Sequence, residues 1–222
     1  MKLTLFNGSP RGTGSNTKIL LEHFTRGFME TEENKVELGY LVKVDEMDEL
    51  VEMFQDAEQV ILAFPLYTDA MPGIVKHFIE NLESLCHNKN NPDIGFIVQS
   101  GFPEPHHSRF VEKYLEKLAE RLKCKYLGTV VKGGVEGIQI QPPRMTRVLF
   151  DSFYRLGLHF GKTGAFDEEI IRSLAKRENL SPALRFIFRL LGFTGLTNFY
   201  WNKQLKENKA YARRFDRPFE HS

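Results

Sequence analysis

The sequence predicts an α/β domain built on a parallel sheet, and three observations carry that reading. Strand-length apolar runs alternate with helical periodicities five times along residues 2–160. The third run, Val60-Ile61-Leu62-Ala63-Phe64, is apolar at every position, as a strand covered on both faces must be. Most of the runs stop at glycine, proline or serine turns, and ligands collect at the carboxyl ends of such strands. Right-handed crossovers then leave few topologies.

Residues 2–6 form a short apolar run that ends at Asn7-Gly8 and reads as a buried strand. From Thr17 the spacing of Ile19, Leu20, Phe24 and Phe28 is helical. Val36, Leu38, Tyr40 and Val42 alternate and predict a second strand. Met47, Leu50, Val51 and Phe54 mark a second helix, and the dense run 60–64 follows. Pro72 opens a helix through Val75, Phe78, Ile79 and Leu82, because its missing N–H has no partner in a first turn. Ile94–Val98 is a fourth strand ending at Ser100-Gly101. Residues 107–122 predict a helix with Phe110, Tyr114, Leu115, Leu118 and Leu122 on one face. Tyr126–Val131 is a fifth strand ending at Gly133-Gly134, and 144–160 the last helix of the core.

After Gly164 no strand pattern is evident. A short helix over 166–176, a second one from Ser181-Pro182 through Leu191, and an aromatic run Asn198–Trp201 read as a helical extension. The expected division is a domain over 1–164 and an extension over 165–222.

Composition is that of an ordinary globular protein, 41% hydrophobic and 27% charged. A formal net charge of +1 gives no global pull toward nucleic acid. The charge is uneven: residues 1–143 hold 15 Lys and Arg against 21 Asp and Glu, whereas 144–222 hold 15 against 8. The bland account is a solvated basic helical face; the other is a surface for a partner or an anionic substrate. Cys86 and Cys124 stand at no metal spacing and are expected as free thiols in a reducing cytoplasm. The first strand is too short for a signal peptide, and no apolar run is long enough for an integral membrane segment.

The loop after the first strand reads Asn7-Gly8-Ser9-Pro10-Arg11-Gly12-Thr13-Gly14-Ser15-Asn16-Thr17-Lys18. Small residues let backbone N–H groups approach an anion, and the helix that follows offers unpaired donors and a positive dipole end. Ser9, Ser15 and Thr17 add hydroxyls, Asn16 an amide, and Arg11 either neutralises charge or covers the site. Two rival phosphate motifs fail. A P-loop needs Gly-Lys-Ser/Thr, but Gly14 is followed by Ser15-Asn16; the dinucleotide fingerprint needs a third glycine where Thr17 stands. A plain helix cap would need fewer donors.

Asn-Gly-Ser-Pro-Arg, a short spacer and Ser-Asn-Thr resemble the phosphate loop of the NAD(P)H-dependent FMN reductase family. The resemblance implies a flavodoxin-like, doubly wound, five-stranded parallel sheet of order 2-1-3-4-5. It also implies that Ser9, Arg11, Ser15, Asn16 and Thr17 hold the FMN phosphate. A second stretch is similar to the same family: Pro65-Leu66-Tyr67-Thr68, a spacer, Met71-Pro72-Gly73, then Lys76 and Phe78-Ile79. It implies that Pro65, Leu66, Tyr67 and Thr68 line the isoalloxazine. In that strand order the loop Gln99-Ser100-Gly101-Phe102 is the neighbour, so Ser100 and Gly101 are expected at the pyrimidine edge, with Phe102 over the ring. The similarity spans roughly residues 2–160.

The iron–sulfur flavoproteins related to this family carry a cysteine cluster between the second and third strands; Val44-Asp45-Glu46-Met47 stands there, so a cluster relay is not supported. Gly133–Gly137 reads as a turn in preference to a substrate surface. Adjacent helical side chains do not face each other, so His106-His107 is not read as a metal site. No catalytic side chain is assigned, because the flavin carries the chemistry.

The expected function is an FMN-dependent oxidoreductase that takes hydride from NADPH or NADH and passes electrons to a quinone, nitro compound or flavin. By family likeness it is a cytoplasmic homodimer with no nucleic-acid partner. The alternatives are a flavodoxin-like electron carrier, which the basic tail argues against, and a flavin-dependent redox-responsive interaction protein.

Overall fold

The computed structural model describes residues 1–176, 182, 186–187, 189–190, 192 and 198–217. The chain divides into two compact units, Met1–Glu178 and Asn179–Ser222. The first holds five strands: β1 (Lys2–Asn7), β2 (Lys35–Tyr40), β3 (Gln59–Pro65), β4 (Asp93–Gln99) and β5 (Tyr126–Lys132). All four pairings are parallel, and the order is β2-β1-β3-β4-β5. The connecting helices are α1 (Asn16–Phe28), α2 (Met47–Gln55), α3 (Gly73–Asn81), α4 (Arg109–Leu122) and α5 (Pro143–Thr163), followed by a short α6 (Glu168–Leu174). This is the parallel sheet that the alternation predicts, in the doubly wound, flavodoxin-like order that the resemblance implies.

Both sheet faces are covered, so each strand sends alternate residues to different cores. From β3, Val60, Leu62 and Phe64 pack with Phe54, Phe78 and Leu115 of α2, α3 and α4. Ile61 and Ala63 pack on the other face with Phe24 and Phe28 of α1 and Phe153 and Phe160 of α5. Helices α1 and α5 approach so closely that a methyl group on Gly27 would lie 1.9 Å from the Tyr154 carbonyl oxygen. One on Gly157 would lie 1.9 Å from that of Phe24. Glycine in a helix interior costs roughly 1 kcal/mol against alanine, so here it serves contact and not propensity.

Two expectations need correction. Strand β2 stops at Tyr40, and Val42 lies beyond it, partly exposed. The buried face of α4 is Val111, Leu115, Leu118, Ala119 and Leu122; Phe110 points outward and Tyr114 is exposed. Phe110 and Val111 are 100° apart on a helix, and the face at three- and four-residue spacing from Leu115, Leu118 and Leu122 selects Val111. Residues 166–174 pack in the first unit: Phe166 is buried against β4 and β5, where Gly95 and Gly128 leave room for its ring. Asp167 then caps α6 by accepting the N–H groups of Glu169 and Ile170, both at 2.9 Å.

Of the second unit, the structure describes a helix over Phe199–Glu207 and a short 3-10 turn at Tyr211–Arg213. The helix expected from Ser181 through Leu191 lies mostly outside the described residues. Among the described residues, no helix is long and apolar enough to cross a membrane.

Candidate functional site

Four strands of the parallel sheet deliver their following loops to one end of the domain. The loops after β1, β3, β4 and β5 meet at a narrow cleft of about 30 Å³. Ser9, Arg11 and Asn16 line it from the first loop, Pro65, Leu66 and Tyr67 from the second, Gln99, Ser100 and Gly101 from the third, and Glu136 from the fourth. A larger surface groove of about 350 Å³ lies between α3 and α4, among Lys76, Glu80, Lys117 and Arg121. Those are helix side chains, with Lys76 paired to Glu80 and Lys117 to Glu120. We therefore place the site at the strand ends.

The first loop is shaped by its own polar groups. Asn7 Nδ2 donates to the Gly12 carbonyl oxygen and to Ser15 Oγ, both at 3.2 Å, while Asn7 Oδ1 accepts the Ser9 N–H. Ser15 Oγ donates to the Gly12 carbonyl oxygen at 2.7 Å and accepts the Lys18 N–H as the cap of α1. The Ser15 hydroxyl is thus fully used within the loop. Gly12 turns the chain with φ +53°. The helical bonds begin with the Ile19 N–H to the Ser15 carbonyl oxygen. The N–H groups of Asn16 and Thr17 precede that first bond and are free for a ligand at the positive end of α1.

Thr17 is buried, and its Oγ1 accepts from Gln99 Nε2 at 3.3 Å, which leaves its hydroxyl hydrogen to donate. Asn16 Nδ2 donates to the carbonyl oxygens of Val135 and Glu136, at 2.9 and 3.4 Å. Those two acceptors fix the amide, and Asn16 Oδ1 is left buried without a partner. The unmet group is therefore an acceptor, which calls for a hydroxyl or N–H and not for a phosphate oxygen.

The second loop is a tight two-residue hairpin. The Tyr67 N–H donates to the Ala70 carbonyl oxygen at 2.8 Å, and the Ala70 N–H returns to Tyr67 at 3.0 Å. Thr68 and Asp69 between them have φ of +49° and +59°. Left-handed backbone is costly for a branched residue such as threonine, so the turn stores strain beside the cleft. Thr68 is exposed on its outside. Asp69 Oδ1 meets His107 Nδ1 at 2.9 Å and ties this loop to the one after β4.

Phe102 is exposed and its ring lies 5.1 Å from that of His107, on this outer surface. His106 and His107 sit in a 3-10 turn and their rings adjoin at 4.2 Å, closer than a regular helix would bring them. Among the described residues, no group of three or more metal-ligating side chains occurs.

Eight of the expected residues thus line one cleft: Ser9, Arg11, Asn16, Pro65, Leu66, Tyr67, Ser100 and Gly101. Ser15 and Thr17 lie behind it, buried, and Thr68 lies outside it. Gln99 and Glu136 complete the lining and were not singled out by sequence. Gln99 was legible only as a strand end, whereas Glu136 hid in a segment read as a turn. That segment does turn, with Gly134 at φ +73°. It also seats Val135 on Ser100 through a 2.9 Å backbone bond and carries Glu136 to within 3.5 Å of Arg11.

The family model described as NADPH-dependent FMN reductase matches residues 1–131. A search of curated proteins gives no match. Among solved structures, an FMN-dependent NADH-azoreductase from Bacillus anthracis str. Ames Ancestor, in complex with FMN, is 14% identical; the alignment covers 72% of this chain and 99% of that one, with a TM-score of 0.55. An NAD(P)H:quinone oxidoreductase from Methanothermobacter marburgensis is 13% identical over 72% and 96% of the two chains, with a TM-score of 0.57. The Trp repressor binding protein from Bacillus subtilis is 18% identical over 81% and 99%, with a TM-score of 0.51. At these identities the three structures speak for the fold alone.

Proposed function

This chain belongs to the family of NADPH-dependent FMN reductases, an FMN- and NAD(P)H-dependent oxidoreductase family, and from that premise we propose that its strand-end cleft holds FMN and serves electron transfer to a small-molecule acceptor. The observation that carries the reading is the convergence of four loops on one cleft beside free N–H donors of α1.

The groups present fit the cofactor. The Asn16 and Thr17 N–H groups, the Ser9 and Thr17 hydroxyls and Arg11 would hold the phosphate, and Ser15 would shape the loop that presents them. The orphaned Asn16 Oδ1 suits a hydroxyl of the ribityl chain. Pro65, Leu66 and Tyr67 offer an apolar wall for a flat ring, with Thr68 bracing the turn and Ser100 and Gly101 at its polar edge. When bound, the flavin supplies hydride acceptance from NADPH or NADH and onward delivery of electrons. The protein's part is to orient the ring, exclude water from one face and balance charge at the phosphate end. The acceptor class is a quinone, a nitro compound or a second flavin. By family likeness the assembly is a cytoplasmic homodimer.

Absorption spectroscopy of protein reconstituted with FMN, followed by anaerobic NADPH or NADH, tests this. Bound flavin that bleaches with nicotinamide supports the reductase, and an acceptor screen then ranks the three classes. Bound flavin that stays oxidised turns the reading toward a carrier. Failure to bind FMN at micromolar concentration overturns the assignment of the cleft.

A further inference from the structure

Arg11 and Glu136 face each other across the cleft, with Nη2 and Oε1 3.5 Å apart. They come from the loops after β1 and β5, two strands separated by β3 and β4 in the sheet. Glu136 stands on an anchored segment. Its carbonyl oxygen accepts from Asn16 Nδ2, the Val135 carbonyl oxygen accepts from the same group, and Gln139 Nε2 donates to the Gly14 carbonyl oxygen at 3.0 Å. Its side chain lies over the end of β4: a methyl on Gly101 would come within 3.3 Å of Glu136 Cβ. A carboxylate on an anchored backbone therefore lines the cleft, beside the loop that offers donors to an anion.

Both members of the pair keep more than half of their side-chain surface in water, 55% for Arg11 and 54% for Glu136. Such a pair contributes little stability and exchanges readily. A phosphate carries more charge than a carboxylate and accepts bidentate guanidinium bonds, so it is the stronger partner for Arg11.

We propose that Glu136 is a built-in competitor for Arg11: it holds the guanidinium until a phosphate-bearing flavin enters, and the flavin phosphate takes Arg11 by displacing it. This rests on the reading that Arg11 stands at the phosphate end of the cleft. Glu136 then determines specificity, because it weakens binding of the phosphorylated flavin without touching one that lacks the phosphate. Riboflavin supplies that comparison. The competition is also electrostatic and fades as salt screens it.

The test is the dissociation constant for FMN and for riboflavin, from flavin fluorescence, in the wild type, Glu136→Gln, Arg11→Gln and the double variant. Glu136→Gln is expected to bind FMN about fivefold tighter at low salt (~1 kcal/mol). Riboflavin affinity is expected to stay unchanged, and the gain to vanish when Arg11 is also replaced. If Arg11→Gln weakens FMN selectively but Glu136→Gln leaves it unchanged or weakens it, the competition is refuted while Arg11 remains a phosphate ligand. If Arg11→Gln does not alter the ratio of FMN to riboflavin affinity, the placement of Arg11 fails and the proposal fails with it.

Discussion

Replacing Gly157 with alanine tests whether contact between α1 and α5 sets both stability and the shape of the phosphate loop. The added methyl would sit 1.9 Å from the Phe24 carbonyl oxygen, and the obstacle is backbone, so no rotamer change relieves it. The helices must part by about 1 Å to reach the 3.0 Å that real contacts respect. Parting them loosens Phe24, Phe28, Phe153 and Phe160, all fully buried. Overpacking of this kind costs up to about 3 kcal/mol. The better helix propensity of alanine returns about 1 kcal/mol. The net loss is about 2 kcal/mol, or a fall in Tm of roughly 4–8 °C for a chain of this size.

Because α1 begins at Asn16, its displacement moves the free N–H groups, and FMN affinity falls in the same variant. Urea denaturation followed by far-ultraviolet circular dichroism measures the first effect, and flavin titration the second. Gly73→Ala is the control: a methyl there meets nothing within 4 Å, and stability should hold or rise. A Gly157→Ala protein as stable as the wild type, with the same flavin affinity, would refute the argument that these helices are in backbone contact.

Three further outcomes follow from single groups. Thr68→Gly relieves left-handed backbone in a branched residue, so the fold should gain up to about 1 kcal/mol by thermal denaturation; a loss would show that Thr68 contributes contacts its exposure does not suggest. The Ile170 and Glu169 N–H groups hold the Asp167 carboxyl below the usual aspartate range. Its unfolded-state value is higher, so the cap stabilises fully above about pH 4 and fades as pH falls through the folded value. Asp167→Ala should therefore cost about 1 kcal/mol near neutrality, with the two unfolding curves converging in acid. Burial, with Asp93 adding to it, pushes the Cys124 thiol up to about 12, whereas Cys86 is only half-buried. A thiol reagent should find Cys86 in the native protein and both thiols in denaturant; rapid reaction of two thiols in the native state would contradict the burial of Cys124.

Much of the architecture was legible because its signals are local. Val60–Phe64 could only be a strand covered on both faces, and the loop from Asn7 to Thr17 advertises its donors in sequence. Less legible were features that depend on what the chain meets in space. Glycine lowers helix propensity, and nothing local marks Gly27 and Gly157 as the places where another backbone passes. Phe110 fits a hydrophobic stripe by type, but a neighbouring valine fits it by angle. Phe166 seemed to open an appended region, whereas the notch that receives it is made by Gly95 and Gly128, two glycines in separate strands. Glu136 could not be paired with Arg11 from sequence, because the pairing depends on two strands that lie between theirs in the sheet.

The aromatic character of the two cores has an optical consequence. Their largest rings are phenylalanines, among them Phe6, Phe24, Phe28, Phe54, Phe64, Phe78, Phe96, Phe153 and Phe160. The single tryptophan of the chain, Trp201, lies in the second unit and is largely exposed. Indole emission therefore comes from a residue outside the unit that carries the sheet. The sheet announces itself through its backbone ellipticity and, with FMN bound, through the flavin's colour, signals whose origin differs from that of the indole.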